Sequence, residues 1–146
     1  FPINIINITS DNKGNIWFGT EGEGLFHYSK YQKKFKTTTI KLDQFPNAKK
    51  ISSFNFFKNQ DSLLWIASGL GIIKYNNKSN KFKLYNKAKG NLAYTIKEDH
   101  NKTIWAGGFG SGLLKYNETK DNFKQFLPDK NNIDGIKDDE VIEIIH

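Results

Sequence analysis

Short apolar and aromatic runs alternate with polar clusters along the whole chain, and none sustains the 3.6-residue stripe of an amphipathic helix. The runs are four to six residues long, rich in Ile, Phe, Trp, Tyr and Thr, and separated by Gly, Asn, Asp and Lys, which predicts strands and turns. Trp17, Trp65 and Trp105 stand in one frame: an apolar residue precedes each, a Gly-rich stretch follows, and Tyr28, Tyr75 or Tyr116 comes ten or eleven positions later. Nine positions before the tryptophans are Ile8, Phe56 and Ile96, and seventeen or eighteen after them are Phe35, Phe82 and Phe123. The tryptophan spacings are 48 (65 minus 17) and 40 (105 minus 65), a period that points to solenoids, propellers or arrays.

Each unit divides into four short strands. In the first they are expected at 4–9, 15–20, 25–29 and 34–40, with Ser10 to Gly14 as a tight turn between the first two. The second unit repeats them at 53–57, 63–67, 71–75 and 81–85, and the third at 94–98, 103–107, 112–116 and 122–126. Two adjacent apolar residues in each third strand, Leu25 with Phe26, Ile72 with Ile73 and Leu113 with Leu114, call for burial of both sheet faces, which stacked sheets provide. Blades around a central channel are such an arrangement. The fold class expected is therefore all-β, a partial β-propeller of four-stranded antiparallel blades at 3–41, 51–86 and 92–127, with 139–146 as the first strand of a further blade. The tryptophans are expected to fill the gaps between splayed sheets, a role preferred to stacking on carbohydrate.

Phe1-Pro2 at the start and Val141 to His146 at the end, the latter matching Ile5 and Ile8 with Val141 and Ile144, read as a piece cut from a longer chain. Propellers close with about four to eight blades, so the outer blades are expected to expose apolar faces and the isolated piece to self-associate. No run approaches the ~18 apolar residues of a membrane span, and without Cys neither disulfides nor thiol chemistry is available. All 22 basic residues are Lys, giving a net charge of +7. Without Arg there is no bidentate fork for guanine or phosphate, so no nucleic acid contact is expected and the lysines read as solvated turn residues.

His27, His100 and His146 fall on different units without a second ligand at metal spacing, so no metal and no cofactor is expected. Asp11 to Gly14 is too short for a calcium loop, and the stretch from Asp129 to Gly135 puts Ile133 where an oxygen ligand belongs; turns account for both. The Gly-rich stretches join strand to strand with no helix start to supply a phosphate-binding dipole, and nothing pairs the carboxylates with a nucleophile, so no catalytic residue is expected. Ligand contact in propellers gathers on the face where loops from several blades converge. Here those loops are Glu21 to Glu23, Leu70, Phe109 to Ser111 and the connectors 43–50, 87–91 and 128–138. Glu21, Glu23, Leu70, Phe109 and Ser111 are the candidate ligand residues. Trp17, Trp65, Trp105, Tyr28, Tyr75 and Tyr116 are the structural positions of the repeat.

The unit, an apolar residue leading to Ile-x-Glu-Asp-x-x-Gly-x-Ile-Trp-x-Gly-Thr-x-x-Gly-Leu-x-x-Tyr, is carried by Ile5 to Tyr28 and Ala93 to Tyr116, including Glu98-Asp99 and Gly19-Thr20. It resembles the two-component regulator propeller repeat of extracytoplasmic sensors in hybrid histidine kinases of Bacteroides-like bacteria. The middle unit departs, with Lys58-Asn59 for the acidic pair and Ala67-Ser68 for Gly-Thr. The resemblance implies a parent with two seven-bladed propellers, a β-sandwich, a membrane helix, a kinase core, a receiver and a helix-turn-helix output domain. It further implies a periplasmic location, an oligosaccharide or other small periplasmic ligand, contact with the remaining blades of the parent, and a homodimeric parent. This piece would supply sensing scaffold rather than catalysis. A secreted lyase or hydrolase propeller, and a protein-interaction propeller without a small ligand, are the alternatives.

Overall fold

A computed structural model describes residues 3–38, 52–58, 63–86, 90, 92–132 and 134–145. Its strands form three four-stranded antiparallel sheets, each a meander in chain order. The first holds β1 (Ile5–Ser10), β2 (Ile16–Thr20), β3 (Leu25–Ser29) and β4 (Lys34–Thr38). The second holds β5 (Ser53–Lys58), β6 (Leu63–Ser68), β7 (Gly71–Asn76) and β8 (Lys81–Tyr85), and the third β9 (Thr95–Glu98), β10 (Ile104–Gly108), β11 (Gly112–Asn117) and β12 (Asn122–Phe126). β1 lies against β5 and β5 against β9, so the first strands line the inside and the sheets radiate from them. These are three blades of a β-propeller.

The expected strands recur with ends moved by one residue, because Ser10, Lys58, Ser68, Asn76 and Asn117 still find partners in the ladder before the chain turns. Residues 39 and 40, expected at the end of β4, lie outside the described residues. Equivalent positions occupy equivalent registers: Trp17 faces Thr9 and His27, Trp65 faces Phe57 and Lys74, and Trp105 faces Lys97 and Lys115. Tyr28, Tyr75 and Tyr116 lie across from Phe35, Phe82 and Phe123, with ring centroids 4.9, 4.5 and 5.2 Å apart.

Alternation along each strand sends neighbouring residues to opposite faces, and the core accordingly lies between blades. Trp17 and Leu25 of the first blade bury against Leu64, Ile66, Ile73 and Tyr75 of the second. Trp65, Ala67 and Ile72 leave the other face of that sheet to meet Ala93, Ile96, Ile104, Ala106 and Leu114 of the third. The paired apolar residues of β7 thus serve two interfaces, Ile73 toward blade 1 and Ile72 toward blade 3. Trp17 and Trp65 are almost fully buried, and each ring removes about 150–250 Å² from water, a gross contribution of roughly 4–6 kcal/mol.

The ends of β6 and β10 also hold the chain that leads onward from their blades. Ala93 N donates to Ser68 O at 3.1 Å, and Val141 N donates to Gly108 O at 3.2 Å, both acceptors standing three residues after the blade's tryptophan. Gly108 is required there, since a Cβ on it would lie 1.8 Å from Leu92 O. Residues 141–145 therefore lie on blade 3 as 93–97 lie on blade 2, but no strand is formed there.

Candidate functional site

A four-stranded meander puts its first and third turns at one end and its middle hairpin, with the connectors, at the other. All five candidate ligand residues fall in or beside the middle hairpins and so share one rim. Glu21 and Glu23 are exposed, and Glu21 Oε2 accepts Asn4 Nδ2 at 2.7 Å. Phe109 is 46 % exposed and meets the Tyr94 ring edge-on at 5.5 Å. Leu70 packs against the core between blades 1 and 2. Ser111 is buried, its Oγ donating to Leu92 O at 2.8 Å. Glu21, Glu23 and Phe109 face solvent on this rim; Leu70 and Ser111 are engaged in holding the blades.

The opposite rim carries a device built around the tryptophans. Asp11 Oδ1 accepts the backbone N–H groups of Lys13 at 2.9 Å and Asn15 at 3.0 Å, while Oδ2 accepts Asn15 Nδ2 and Trp17 Nε1, both at 2.9 Å. Asp99 repeats it in blade 3, with Oδ1 on the N–H groups of Asn101 and Thr103 at 2.9 Å and Oδ2 on Trp105 Nε1 at 2.7 Å. One carboxylate thereby closes a turn and fixes an indole. Burial raises the Asp11 pKa, but the bonds from Trp17, Asn15 and Lys13 outweigh it and hold the carboxyl below its ordinary value; the Trp105 bond, then the Thr103 N–H, lower Asp99 likewise. In register with these two acids the middle blade has Asn59, outside the described residues, and among the described residues the buried Trp65 Nε1 has no hydrogen-bond partner.

Between blades 2 and 3 on this rim, Asp121 gathers four donors. Lys74 Nζ reaches Oδ1 at 2.7 Å, Tyr85 OH at 2.6 Å and Tyr116 OH at 2.5 Å, and Lys83 Nζ bonds Oδ2. Lys74 Nζ also donates to Tyr116 OH at 2.9 Å and lies 5.4, 5.5 and 5.2 Å from the ring centroids of Trp65, Tyr85 and Tyr116, a cation in an aromatic enclosure. Burial lowers the Lys74 pKa, but its bonds to Asp121 and Tyr116 more than reverse this. Burial, then the bonds to Asp121 and Tyr116, raise the Tyr85 phenol far above its usual range. Burial raises the Asp121 pKa, and the lysines and tyrosines around it pull it well below the carboxylate range.

Beside this node opens a cleft of about 650 Å³, lined by Trp65 and Lys74 from blade 2 and by Glu98, Lys102, Thr103 and Tyr116 among the residues of blade 3. Lys102 and Glu98 form an ion pair at 3.2 Å. The equivalent rim between blades 1 and 2 is bridged, since Lys13 Nζ donates to Asn77 O across it at 2.5 Å. Among the described residues no cluster of His, Cys, Asp and Glu is placed to hold a metal ion; His27 stacks on Trp17 at 4.9 Å.

The family model described as Two component regulator propeller matches residues 2–22, the stretch that contains β1, the Asp11 turn and Trp17. The first blade is thus similar to a two-component regulator propeller repeat. No curated protein matches the chain. Among solved structures it is similar to the extracellular domain of BT3049, named as a hybrid two component system of B. thetaiotaomicron, at 17 % identity and TM-score 0.75, covering 96 % of this chain and 20 % of that one. It is also similar to the extracellular domain of BT4673 of B. thetaiotaomicron, named as a one component system, at 19 % identity and TM-score 0.72, covering 94 % and 18 %. A further structure of BT4673, named as a hybrid two component system, aligns at 18 % identity and TM-score 0.73, covering 94 % and 18 %. The chain spans about a fifth of the length of these domains, and at such identities the likeness shows the fold.

Within the propeller repeat, the acid six residues before the tryptophan was legible as part of the motif, but its bond to the indole was not. The position five after the tyrosine escaped notice altogether. Asn80 there accepts Tyr75 OH at 2.9 Å and Asp121 accepts Tyr116 OH, and Lys33, Asn80 and Asp121 all have positive φ. The available signal was the constant offset from tyrosine combined with residues, Asn and Asp, that tolerate the left-handed region.

Proposed function

We propose that this chain is part of the extracytoplasmic ligand-sensing region of a hybrid two-component sensor histidine kinase, which detects a glycan or oligosaccharide and signals across the membrane to control transcription. The observation that carries the reading is the blade itself: the repeat's acid-to-indole turn and tryptophan frame, in a fold shared with extracellular domains of two-component systems. The blades supply rigid scaffold and rim residues rather than catalysis. The apolar outer faces, Ile8 and Phe35 on blade 1 and Trp105 with Leu113 on blade 3, suit further blades of a longer, dimeric parent.

Two measurements on the parent protein test this. Calorimetric titration with a panel of oligosaccharides is expected to find one that binds, and the same oligosaccharide is expected to raise phosphorylation of the parent in membranes. A parent lacking a kinase, or one to which no oligosaccharide of the panel binds, overturns the reading.

A further inference from the structure

The face of blade 2 that packs on blade 3 and the outer face of blade 3 are built alike. On blade 2, Lys74 lies across the ladder from Trp65 on one side and from Lys83 on the other; on blade 3, Lys115 lies likewise between Trp105 and Lys124. The rings correspond as well, with Tyr85 5.9 Å from Trp65 at 29° and Phe126 6.3 Å from Trp105 at 31°. Each lysine covers the same ring in both blades: Lys74 stands over Trp65 at 5.4 Å and Lys83 over Tyr85 at 4.9 Å, Lys115 over Trp105 at 5.0 Å and Lys124 over Phe126 at 4.8 Å. Like charges directly opposite each other on a sheet destabilise it. Blade 2 has this relieved by Asp121, which the hairpin between β11 and β12 brings across the seam so that one carboxylate oxygen meets each lysine. On blade 3 the two lysines are exposed, and among the described residues neither has an acceptor.

We propose that the Lys115–Lys124 pair is the seat for a carboxylate from a further propeller sheet, an Asp or Glu standing five residues after that sheet's tyrosine, as Asp121 stands five after Tyr116. The same docking brings that tyrosine onto Trp105, as Tyr75 meets Trp17 at 4.9 Å and Tyr116 meets Trp65 at 4.8 Å. The occupant is the sheet that follows blade 3 in the parent, because residues 141–145 lie on blade 3 as 93–97, which lead into blade 3, lie on blade 2. A second copy of this chain does not meet the requirement. Its blade 1 carries Lys33 in the place of Asp121, and would set a third cation against Lys115 and Lys124. The seam between blades 1 and 2, where the corresponding residues are His27 and Asn80, makes no such demand, so the lysine pair selects which sheet docks by attracting one and repelling the other. This seat rests on the reading of the chain as part of a longer propeller, and adds the chemistry that the next sheet must carry.

The test is carbodiimide treatment of the parent, which joins a carboxylate to an amine in contact with it, followed by peptide mass spectrometry. Lys74 or Lys83 joined to Asp121 is the internal reference. The expected result is a second link of the same kind, from Lys115 or Lys124 to an Asp or Glu in the hairpin between the third and fourth strands of the following sheet. Lys115 and Lys124 both unlinked, or linked only to acids elsewhere, while the reference forms, overturns the seat, as does a link to an acid of a second copy. A following sheet without an acid at that position overturns the seat and leaves the sensor reading intact. The expected link in a parent that lacks a kinase keeps the seat and overturns the sensor reading.

Discussion

Asp11 shows what one residue contributes to a blade. Removing its carboxylate strands the Trp17 N–H and two backbone N–H groups at once, and each buried unsatisfied donor costs about 1–3 kcal/mol. Asp11→Ala is expected to lose about 2–3 kcal/mol in urea unfolding, whereas Asp99→Ala, at a less buried position, should cost less. Because the folded-state pKa of Asp11 lies below its ordinary value, its contribution is present above about pH 4 and is lost as pH falls below that. The Asp11→Ala deficit should shrink accordingly in acid. Tyr85 sets the opposite limit. Its phenol keeps its proton in the folded state at pH values where the unfolded chain releases it, so stability should fall as pH rises above about 10. Lys74, raised as well, adds to the same loss. Tyr85→Phe should flatten the alkaline decline measured by denaturant midpoints from pH 8 to 11.

At the scale of elements, the strands were legible because tryptophan, tyrosine and phenylalanine recur at fixed offsets and period-2 burial places them on predictable faces. The hairpins between third and fourth strands were less so, since they differ in composition while sharing geometry. Asn76 Oδ1 caps the N–H groups of Lys78 and Ser79, Asn117 Oδ1 caps that of Lys120, and Ser29 Oγ that of Gln32, and each turn ends in a left-handed residue. Blade 1 places Lys33 in that position at φ 49°, where a long side chain is strained and offers no acceptor to Tyr28. Lys33→Asn restores the residue type of blade 2, and is expected to stabilise the chain by about 0.5–1 kcal/mol, read as a rise in Tm. No gain would mean that the left-handed geometry is not what limits this hairpin. The rim contacts of Leu70 and Ser111 were hidden from sequence for another reason: a hairpin residue can equally face solvent or brace the next blade, and only the stacking decides.

The whole molecule is a stack in which each sheet touches only its neighbours, so its stability is close to a sum of blade terms and interface terms. Blade 2 takes part in both interfaces observed, while Ile8 and Phe35 of blade 1 stay 57 % and 72 % exposed and their blade 3 counterparts, Ile96 and Phe123, are fully and partly buried. Ile72 and Ile73 separate the two interfaces within a single strand, since both are buried, adjacent and directed at different blades. Ile→Ala at either site removes comparable apolar volume and should cost about 2–5 kcal/mol. The losses should nevertheless appear in different places. Native-state hydrogen exchange is expected to show Ile73→Ala exposing the amides of β2 and β3 while β10 and β11 stay protected, and Ile72→Ala doing the opposite. If either variant loosened all three sheets equally, the blades would be folding as one cooperative unit, and the interface terms would be too strong to separate. Local release would instead show that the tryptophan-filled gaps are the seams along which this stack opens, because opening one seam leaves both ladders beside it intact.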